Sequence, residues 1–507
     1  MTIRLLPDDP FDTRLRAAVG PPEWVNPVPS GRYNLVVLGG GTAGLVSAAA
    51  GAYLGAKVAL IERDLLGGDC LNVGCVPSKA LLAAAKAAAH VRAAAAFGVR
   101  VPSGVSVDFP AVMARVRRLR AHLSDNDSAR RFRELGVDVY FGAGRFVDGQ
   151  RIAVGERTLH FHRAIIATGS RAAVPDIPGL AEAGYLTNAS VFALTEQPAR
   201  LAVIGAGPVG CELAQAFARL GTQVTLLGNH PRILARDDDE AAAVVAAALA
   251  RDGVDLRLGV TVEQVGVQPA GAGRVLRVRA ADGRVSELSV DAILLAAGRV
   301  PNVEGLDLAA AGVQWHPRHG VLVDQKLRTH NRRIFAAGDV ASAYRFTHAA
   351  DALARVAVQN ALFFATARAD RLVIPWCTYT DPELAQVGLT EAVARQQQIK
   401  YAITRLDFAQ ADRAITDSQA EGFVKLLTTP DGQRLLGATV VGVAAGELIT
   451  QLTPLIGQRR AWARLGATIY PYPTRAEVFR KLANAQALRR LTPTVRWLLG
   501  WWMRWRR

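Results

Sequence analysis

The sequence predicts an α/β protein with two doubly wound domains, each built on a parallel sheet, and three observations carry this prediction. The chain has 507 residues, of which 50% are hydrophobic and 46 are glycine, as expected for a globular protein of several domains. Near residues 39 and 205, a β-branched run leads through the spacing G-x-G-x-x-G into a helical stretch. This strand, turn and helix pattern is typical of a Rossmann-like dinucleotide-binding unit, and the chain carries it twice.

Composition and charge exclude several classes of protein. Four cysteines in 507 residues are too few for a disulfide-stapled secreted scaffold. The first twenty residues carry early acids and no uninterrupted apolar run, so we expect no signal peptide and a cytoplasmic protein. The formal net charge of +16 would suit nucleic acid or an anionic membrane, but the arginines are scattered and no nucleic-acid module accompanies them. We therefore expect no nucleic-acid partner.

Three segments carry little functional signal. Residues 1–33 contain six prolines and little periodicity, so we predict an extended N-terminal arm. An alanine-rich stretch at 79–96 predicts a packing helix. A basic stretch at 110–135 predicts a second helix whose charged side chains face solvent.

The first predicted nucleotide-binding unit has its turn at Gly39, Gly41 and Gly44, between a strand at residues 34–38 and a helix. Its second strand ends at Glu62, about twenty residues after the turn. Glycines at these positions let the backbone approach a pyrophosphate at the helix N-terminus, and the acid is placed to bond a ribose hydroxyl. We predict dinucleotide binding here. An ordinary tight turn is the alternative, since the turn motif alone is weak evidence.

Residues 67–79, with the sequence GGDCLNVGCVPSK, contain two of the four cysteines. Cys70 and Cys75 are close enough along the chain to close a small disulfide ring, which would be strained and easily reduced. A bridge over so short a loop removes little entropy from the unfolded chain, so its purpose would be redox chemistry rather than stability. The alternative interpretation is two small buried residues without a chemical role.

The segment C-L-N-V-G-C-V-P-S-K resembles, without a gap, the redox motif of the flavin-dependent pyridine nucleotide-disulfide oxidoreductases. This is the family of dihydrolipoamide dehydrogenase, glutathione reductase and mercuric reductase. The resemblance implies that Cys70 is the exposed interchange thiol and that Cys75 lies against the flavin as the charge-transfer thiolate. It places Gly68 and Lys79 at the flavin as well. It also implies that the first unit holds FAD and the second holds NAD(P)H.

The second predicted unit differs from the first where its second strand ends. Its turn glycines are Gly205, Gly207 and Gly210. Its second strand ends at a glycine rather than at an acid, and His230 and Arg232 follow. A carboxylate at that strand end would bond both ribose hydroxyls of NADH and repel a 2′-phosphate. Its absence beside basic residues favours NADPH, with NADH still possible.

The resemblance also predicts an ion pair beside the flavin. Glu212 stands where relatives have a carboxylate that pairs with the lysine of the redox motif, which is Lys79 here. The pair would hold positive charge near the reduced flavin. The alternative is an ordinary glutamate on the helix surface.

The expected domain order follows from the resemblance. Thr168 and Gly169 stand in the segment where the family's chain leaves the FAD domain, and Gly298 closes the nicotinamide domain. Gly338 and Asp339 stand in the second FAD fingerprint, where the glycine permits close backbone approach and the acid bonds the ribityl chain. The FAD domain is therefore expected to be discontinuous. The expected boundaries are 1–33 for the arm, 34–180 and 301–372 for the FAD domain, 181–300 for the NAD(P) domain, 373–489 for the interface domain and 490–507 for a tail.

Residues 375–388 resemble the start of the family's α+β dimerisation domain, so we expect a homodimer in which its far end completes the partner's active site. At that far end, glutathione reductase and dihydrolipoamide dehydrogenase have His-Pro-Thr, with a glutamate five residues after the histidine. This chain has Tyr472 in place of the histidine and keeps Glu477. A tyrosine with a pKa near 10 exchanges protons poorly at neutral pH, whereas a histidine near 6.5 does so well. Efficient turnover of lipoamide or glutathione is therefore disfavoured.

Mercuric reductases also carry a tyrosine here, and Hg(II) held by the thiolates of Cys70 and Cys75 needs electrons more than a proton shuttle. The resemblance is therefore strongest to mercuric reductases, with Hg(II) as the expected acceptor. Their N-terminal C-x-x-C module and C-terminal cysteine pair have no counterpart here. Cys211 and Cys377 are expected to be buried small residues rather than relay ligands. A dihydrolipoamide dehydrogenase-like enzyme, another disulfide or quinone reductase, and a membrane-docked redox sensor without rapid turnover stay open.

The end of the chain, residues 494–507, places Leu498, Trp501, Trp502 and Trp505 on one helical face and arginines largely opposite. An amphipathic helix with interfacial aromatic residues and basic flanks fits peripheral attachment to a membrane, and it is too short to span one. A helix docked on its own dimer is the alternative. The expected location is the cytoplasm, at the inner membrane face if this tail binds lipid.

Overall fold

The structure of the chain, a computed structural model, describes residues 5–268, 273–489 and 491–507. It divides into two compact units. The first comprises Met1–Pro231 and Gly253–Leu372, and the second comprises Arg232–Asp252 and Val373–Arg507.

The helices and strands alternate through the first unit, as the α/β prediction requires. The helices are α1 Pro10–Val19, α2 Thr42–Tyr53, α3 Gly68–Asn72, α4 Cys75–Ala93, α5 Phe109–Leu123, α6 Ala129–Glu134, α7 Leu180–Ala183, α8 Asn188–Val191, α9 Pro208–Leu220, α10 Asp239–Arg251, α11 Thr347–Leu362, α12 Glu391–Gln396, α13 Asp412–Thr416, α14 Ala445–Leu452, α15 Ala461–Ala467, α16 Glu477–Arg489 and α17 Pro493–Trp505. The strands are β1 Arg32–Leu38, β2 Val58–Glu62, β3 Val137–Phe141, β4 Gly144–Asp148, β5 Arg151–Val154, β6 Arg157–Ile166, β7 Ser170–Ala172, β8 Arg200–Ile204, β9 Gln223–Gly228, β10 Asp255–Leu258, β11 Thr261–Val267, β12 Arg274–Arg279, β13 Val285–Val290, β14 Ala292–Leu295, β15 Arg299–Pro301, β16 Trp315–His316, β17 Gly320–Val321, β18 Ile334–Ala336, β19 Trp376–Thr378, β20 Glu383–Gly388, β21 Ala402–Asp407, β22 Phe423–Thr428 and β23 Leu435–Gly442.

The largest sheet of the first unit has the strand order β3-β2-β1-β6-β5-β4, and β18 also pairs with β6. Strands β3, β2, β1, β6 and β18 are parallel, and β4 and β5 are antiparallel to their neighbours. Strand β1 is buried almost throughout, as its run of β-branched and aliphatic residues requires of a central parallel strand. Because β18 follows β1 by almost three hundred residues, this sheet is completed by a distant part of the chain.

The second parallel sheet of the same unit has four strands in the order β10-β9-β8-β14, with a three-stranded antiparallel sheet, β11-β12-β13, beside it in sequence. Helix α9 follows β8 and packs against β8 and β9. In both parallel sheets the turn that leaves the first strand leads directly into a helix, so the carboxyl edge of each sheet meets a helix N-terminus.

The second unit is built on an antiparallel sheet with the order β19-β20-β23-β22-β21. Its core combines residues of β22 and β23 with α14, α15 and α16. Lys425 of β22 is buried in this unit, and its ammonium lies 2.9–3.0 Å from carboxylates of Asp238, Glu240 and Glu391. This mixed layer is the α+β architecture that the resemblance implied for the C-terminal part of the chain.

The N-terminal arm is not extended, which corrects the prediction for residues 1–33. Helix α1 begins after Asp9, whose side chain accepts hydrogen bonds from two backbone amides of the first turn, and Pro10 is its first residue. Proline at that position is compatible with a helix, because the amide it lacks would have no helical partner. Leu15 and Val19 are buried in the core of the sheet domain. The prolines of this segment therefore lie at the start of a helix and in loops, and they do not indicate an extended arm.

The basic stretch at 110–135 is also corrected. It forms α5, a 3₁₀ turn at Ser124–Asp127, and α6 rather than one helix. Arg117 and Arg120 are buried, not solvent-facing. Arg117 pairs with Asp9 at 2.6 Å, and Arg120 pairs with the fully buried Asp12 at 2.6 Å. Asp12 lies in α1 and Asp9 caps it, so the buried arginines of α5 find their partners in the N-terminal arm.

The stretch Gly68–Phe97 is long and apolar enough, by length and composition, to cross a membrane. It is not one helix, because Val73 and Gly74 leave helical geometry between α3 and α4. The second part, α4, begins at Cys75 rather than at the predicted Lys79, ends at Ala93, and packs against α5 and α9.

Candidate active site and cofactor sites

The redox loop is formed by α3, the Val73–Gly74 junction and the start of α4. Cys70 lies in α3, and Cys75 is the first residue of α4. Gly74, the residue before α4, has no side chain that could accept hydrogen bonds from the amides of the first turn. These amides are therefore left without a side-chain cap at the end of the helix where Cys75 lies. A helix N-terminus stabilises a thiolate placed on it. The local sequence thus places one cysteine in a favourable position for ionisation.

Both cysteines are thiols in the structure, with no disulfide between them. Cys75 is hydrogen-bonded to Cys70 and, at 3.1 Å, to the hydroxyl of Thr347 at the start of α11. The hydrogen bond from Cys70 lowers the pKa of Cys75 to about 6, against the effect of burial and with help from Thr347 and the charge of Lys79. The same hydrogen bond, together with burial, raises the pKa of the Cys70 thiol. Cys75 is therefore the more acidic of the two thiols.

The assignment of Cys70 as the exposed interchange thiol concerns the flavin-bound enzyme and stays a prediction. Cys75 is exposed and Cys70 is half-buried. A flavin ring lying against Cys75, as the family arrangement implies, would cover that thiol.

An ion pair lies one turn along α4 from Cys75. The ammonium of Lys79 is 2.7 Å from a carboxylate oxygen of Glu212 on α9. The glutamate side chain is buried and the lysine side chain is 39% exposed. A buried carboxylate requires a cationic partner to offset its lost hydration, and this lysine supplies one at the edge of the redox loop.

A polar cluster joins the redox loop to the second FAD fingerprint. Arg299 contacts Asp69 of α3 and donates to the hydroxyl of Ser170 at 2.7 Å. Ser170 donates to Asp339 at 2.6 Å, and burial raises the pKa of that carboxyl. Thr168, one of the predicted site residues, instead donates to the Asn302 carbonyl at 2.7 Å. Asp339 therefore stands next to the loop that carries the cysteines, while Thr168 stabilises the backbone around it.

The first glycine turn has the shape of a pyrophosphate cradle. Gly39 has φ +109°, and a Cβ there would lie 2.4 Å from the Ala167 carbonyl oxygen. A Cβ on Gly44 would lie 1.7 Å from the Gly39 carbonyl oxygen, so the helix and strand pack more closely than any other residue permits. Gly41 caps α2 without a side-chain hydrogen bond. Glu62 accepts from the Gly40 amide at 2.6 Å at the end of β2, and burial raises the pKa of its carboxyl. These features fit FAD.

The second glycine turn repeats this geometry. Gly205 has φ +116°, and a Cβ on Gly210 would lie 1.9 Å from the Gly205 carbonyl oxygen. Gly207 caps α9 without a side-chain hydrogen bond, and a Cβ there would meet nothing within 4 Å. Gly298 also lies open, with φ +103°. The turn fits a second dinucleotide.

The two basic residues predicted near the second cofactor are not equivalent. The guanidinium of Arg232 donates to the carbonyls of Leu234 and Ala235 and pairs with Asp239 at 2.8 Å. These contacts hold the arginine against its own loop, and its role at a 2′-phosphate stays a prediction. The side chain of His230 is exposed.

Tyr472 and Glu477, in the second unit, do not form the pair that a histidine and glutamate would. Tyr472 is 70% exposed, and its hydroxyl donates to Asp412 at 3.1 Å. This hydrogen bond raises the pKa of Tyr472, so the phenol stays protonated over the physiological range. Glu477 is buried and instead accepts from Arg480 at 2.8 Å.

The remaining cysteines do not extend the site. Cys211 is fully buried on α9, and Cys377 is half-buried on β19 of the second unit. In the parts of the chain that the structure describes, no three or more histidine, cysteine or acidic side chains are grouped as a metal site. A metal ion at the redox loop would therefore be bound by the two sulfur atoms.

Sequence reasoning missed Thr347, Ser170, Asp69 and Asp412. Thr347 is 272 positions from Cys75, and nothing in its local sequence marks it. Its one available signal was its place at the first turn of the helix after the second FAD fingerprint. Asp412 could not be inferred either, since it is sixty positions from Tyr472 in the sequence.

Two dinucleotide cradles beside a dithiol with one low-pKa thiolate define a flavin- and nicotinamide-dependent dithiol oxidoreductase. Residues 33–359 match the profile of the pyridine nucleotide-disulphide oxidoreductases, and residues 374–483 match the dimerisation domain of the same family. The chain belongs to this family and, as its relatives show, is an FAD-dependent enzyme with NAD(P)H as electron donor. The dimerisation domain supports a homodimer.

Comparison with individual proteins places the chain near mercuric reductases. It is 33% identical over 447 residues to a mercuric reductase of Staphylococcus aureus, covering 88% of this chain and 81% of the relative. It is 35% identical over 461 residues to a dihydrolipoyl dehydrogenase of Thermus scotoductus, covering 89% and 97%. The HOCl-induced flavoprotein disulfide reductase RclA of Escherichia coli, solved as a Cu(II) complex, superposes with a TM-score of 0.79 at 27% identity, covering 90% and 100%.

Proposed function

We propose that the enzyme reduces a soft, thiol-binding metal ion, and that Hg(II) is its acceptor. The observation that carries this proposal is the dithiol itself, in which Cys75 begins α4, lies 3.1 Å from the Thr347 hydroxyl and has a lowered pKa, with Cys70 as its hydrogen-bonded neighbour. Two sulfur ligands suit Hg(II), which prefers thiolates to oxygen and nitrogen. The similarity to mercuric reductases at 33–34% identity supports the same assignment.

The balanced reaction is NADPH + Hg²⁺ → NADP⁺ + H⁺ + Hg⁰. When bound, FAD supplies the two-electron relay between NADPH and the cysteine pair. The metal is held between the two sulfur atoms, those of the Cys75 thiolate and of Cys70, whose thiol releases its proton to solvent. Thr347 donates to the Cys75 sulfur and Lys79 supplies a nearby positive charge, so both hold the thiolate form. Glu212 fixes the lysine in place.

The state of Tyr472 argues against a disulfide substrate. Reduction of an organic disulfide needs a group that accepts and returns a proton near neutral pH. The hydrogen bond to Asp412 raises the pKa of Tyr472 and keeps it protonated, so it is poorly suited to this task. We assign Tyr472 to a position facing the dithiol of the partner subunit, as the family arrangement implies.

For the donor we propose a preference for NADPH that rests on Gly228 rather than on Arg232. Strand β9 ends at this buried glycine, and a Cβ there would lie 2.9 Å from the Ala206 methyl and 3.0 Å from Leu258. The strand end therefore has no room for the acid that would repel a 2′-phosphate. The ratio of kcat/KM for NADPH to that for NADH measures the preference, and a ratio below one would contradict it.

The test is NADPH oxidation by the FAD-loaded dimer with Hg(II) in excess thiol, together with capture of volatile mercury. We expect turnover that disappears in Cys70→Ala and in Cys75→Ala. Cys377→Ala is the matched control, since this half-buried cysteine lies in the other unit and should leave the rate unchanged.

Parallel reactions contain oxidised lipoamide, glutathione disulfide or a soluble quinone as the acceptor. If NADPH is consumed with one of these and not with mercury, the assignment to Hg(II) fails. Steady multiple turnovers with any acceptor would exclude the alternative of a redox sensor without rapid turnover.

Cu(II) is a second candidate, favoured by the structural likeness to the Cu(II) complex of RclA. Copper reduction is a one-electron change, so one NADPH would reduce two Cu(II) to Cu(I) and release one proton. A Cu(I) chelator in the same assay measures it. Cysteine-dependent Cu(I) production without volatile mercury would select copper over mercury.

A further inference from the structure

The C-terminal helix α17 is exposed on every side. It has no buried residue, although eight of its thirteen residues are large and apolar. Its exposed apolar side chains, 36–69% accessible, are Val495, Trp497, Leu498, Leu499, Trp501, Trp502, Met503 and Trp505. Thr492 caps its first turn through a hydrogen bond to the Val495 amide, so the helix has its own start signal. Such a surface in water has a large unfavourable hydration cost.

The helix divides into a wide apolar arc and a narrow basic one. At 100° per residue, Arg496, Gly500 and Arg504 share one side, and the last arginine, Arg507, continues it. The tryptophans, the leucines and Met503 occupy most of the rest of the circumference, and Arg506 lies among them. The basic side chains stay within their own helix, where Arg504 donates to the Gly500 carbonyl and Arg506 stacks over Trp502.

We propose that α17 docks the enzyme on an anionic lipid bilayer, lying in the plane of the interface. Tryptophan side chains favour the boundary between headgroups and acyl chains, and arginines favour anionic headgroups. No acidic residue follows Glu477, while eight basic residues do. Thirteen helical residues span about 20 Å, which is too short to cross a bilayer and sufficient to lie along one.

The charge of the protein distinguishes lipid from a second copy of the chain as the occupant. A partner subunit carries the same formal net charge of +16 and the same basic helix, so packing α17 on it brings like charges together. An anionic bilayer has the opposite charge. Charge complementarity therefore selects the lipid surface.

The test is flotation of the full chain with vesicles of phosphatidylglycerol and phosphatidylcholine in equal parts, and with phosphatidylcholine vesicles alone. We expect binding to the anionic vesicles, and loss of it in a chain that ends at Thr492. Replacing Arg496 and Arg504 by Gln should weaken binding about five-fold for each arginine removed. Trp501→Ala with Trp502→Ala should abolish it at physiological salt. Phe364→Ala, at an aromatic side chain outside the tail that is even more exposed than these tryptophans, is the control and should bind as the unaltered chain does.

The same preparations are examined by light scattering without lipid. A shortened chain that stays dimeric and keeps its NADPH oxidation rate supports the proposal, because the helix is then needed only for lipid. Equal flotation of the full and shortened chains would overturn it. So would a shortened chain that becomes monomeric, since the helix would then be part of the dimer interface, or equal binding to neutral vesicles.

Discussion

Arg120 donates a hydrogen bond of 2.9 Å to the backbone carbonyl of Asn72, which is the last residue of α3 and lies between the two cysteines. The same guanidinium pairs with the fully buried Asp12 of α1. Burial lowers the pKa of Arg120 and raises that of Asp12, so each charge depends on the other. The N-terminal helix therefore supports the redox loop through one arginine.

Replacing Arg120 by Met should destabilise the first unit by about 3 to 5 kcal/mol, because it leaves the buried carboxylate of Asp12 without a partner. Thermal unfolding of the FAD-loaded protein measures this. Arg118→Met, at an exposed arginine of the same helix, is the matched control and should change stability little. An equal loss in both variants would mean that helix α5, rather than the buried pair, accounts for the effect.

The thiolate of Cys75 should be lost as pH falls through about 6. The thiolate is the reactive form, so the rate of alkylation of Cys75 in the reduced enzyme should rise from pH 5 to 7 and then level off. For an ordinary cysteine, with a pKa of about 8.5, the alkylation rate would still increase above pH 7. Cys70→Ala removes the largest cause of the shift and should move the midpoint to higher pH. A midpoint that stays in place would show that Cys70 does not stabilise the thiolate.

Lys79 and Glu212 should shift the same midpoint in opposite directions. The charge of Lys79 lowers the pKa of Cys75, and that of Glu212 raises it. Lys79→Met should therefore move the alkylation midpoint upward, and Glu212→Gln should move it downward. Shifts of the same sign in both variants would indicate that the ion pair acts by holding the loop rather than by charge. Lys86→Met, on the same helix, is the control.

Lys425 should be essential for the stability of the second unit. Its side chain is almost completely buried among Asp238, Glu240 and Glu391. Lys425→Met leaves Asp238 buried without its cation and should cost about 3 to 5 kcal/mol. The exposed Lys400→Met is the control. Calorimetry should show the loss in the transition of the second unit, and an unchanged transition would be contrary to this expectation.

Tyr472→His should introduce activity with oxidised lipoamide. An imidazole accepts and returns protons near neutral pH, and general acid–base catalysis contributes about 100-fold or more to such reactions. Glu477, at the family spacing of five residues, would orient the ring in place of its hydrogen bond with Arg480. Tyr53→His, at a tyrosine of similar exposure in the first unit, should have no effect. If lipoamide reduction stays at its original rate, the tyrosine does not limit the choice of acceptor.

The parts of the fold and site that could be predicted are those encoded within short stretches of sequence. The glycine turns at Gly39 and Gly205 require close backbone approach that only glycine permits, so their residues reveal their geometry. Cys70 and Cys75 belong to one uninterrupted motif. Even here, the sequence did not reveal that helix α4 begins at Cys75 rather than at Lys79.

The contacts that sequence reasoning missed join distant residues. The ion pairs of Arg117 with Asp9 and of Arg120 with Asp12 connect positions 108 apart. From sequence alone, the first segment was interpreted as an extended arm and the second as a solvent-facing helix. Likewise, the loop contacts of Arg232 could not be inferred from its basic charge near a cofactor turn. A charged side chain shows its partner only once the chain has folded, and its type alone does not say whether it binds a ligand or the protein.

Strand β18 completes the first parallel sheet by pairing with β6, and it begins 296 positions after the end of β1. At the usual rate of protein synthesis, about 5 to 20 residues per second, β6 waits on the order of 10 s or longer on the ribosome for this neighbour. The segment between them, which carries the nicotinamide-binding turn, emerges first. A nascent chain released before Ala336 would therefore hold an intact second cradle and an FAD sheet with an open edge, which is the form that quality-control proteases and aggregation would act upon.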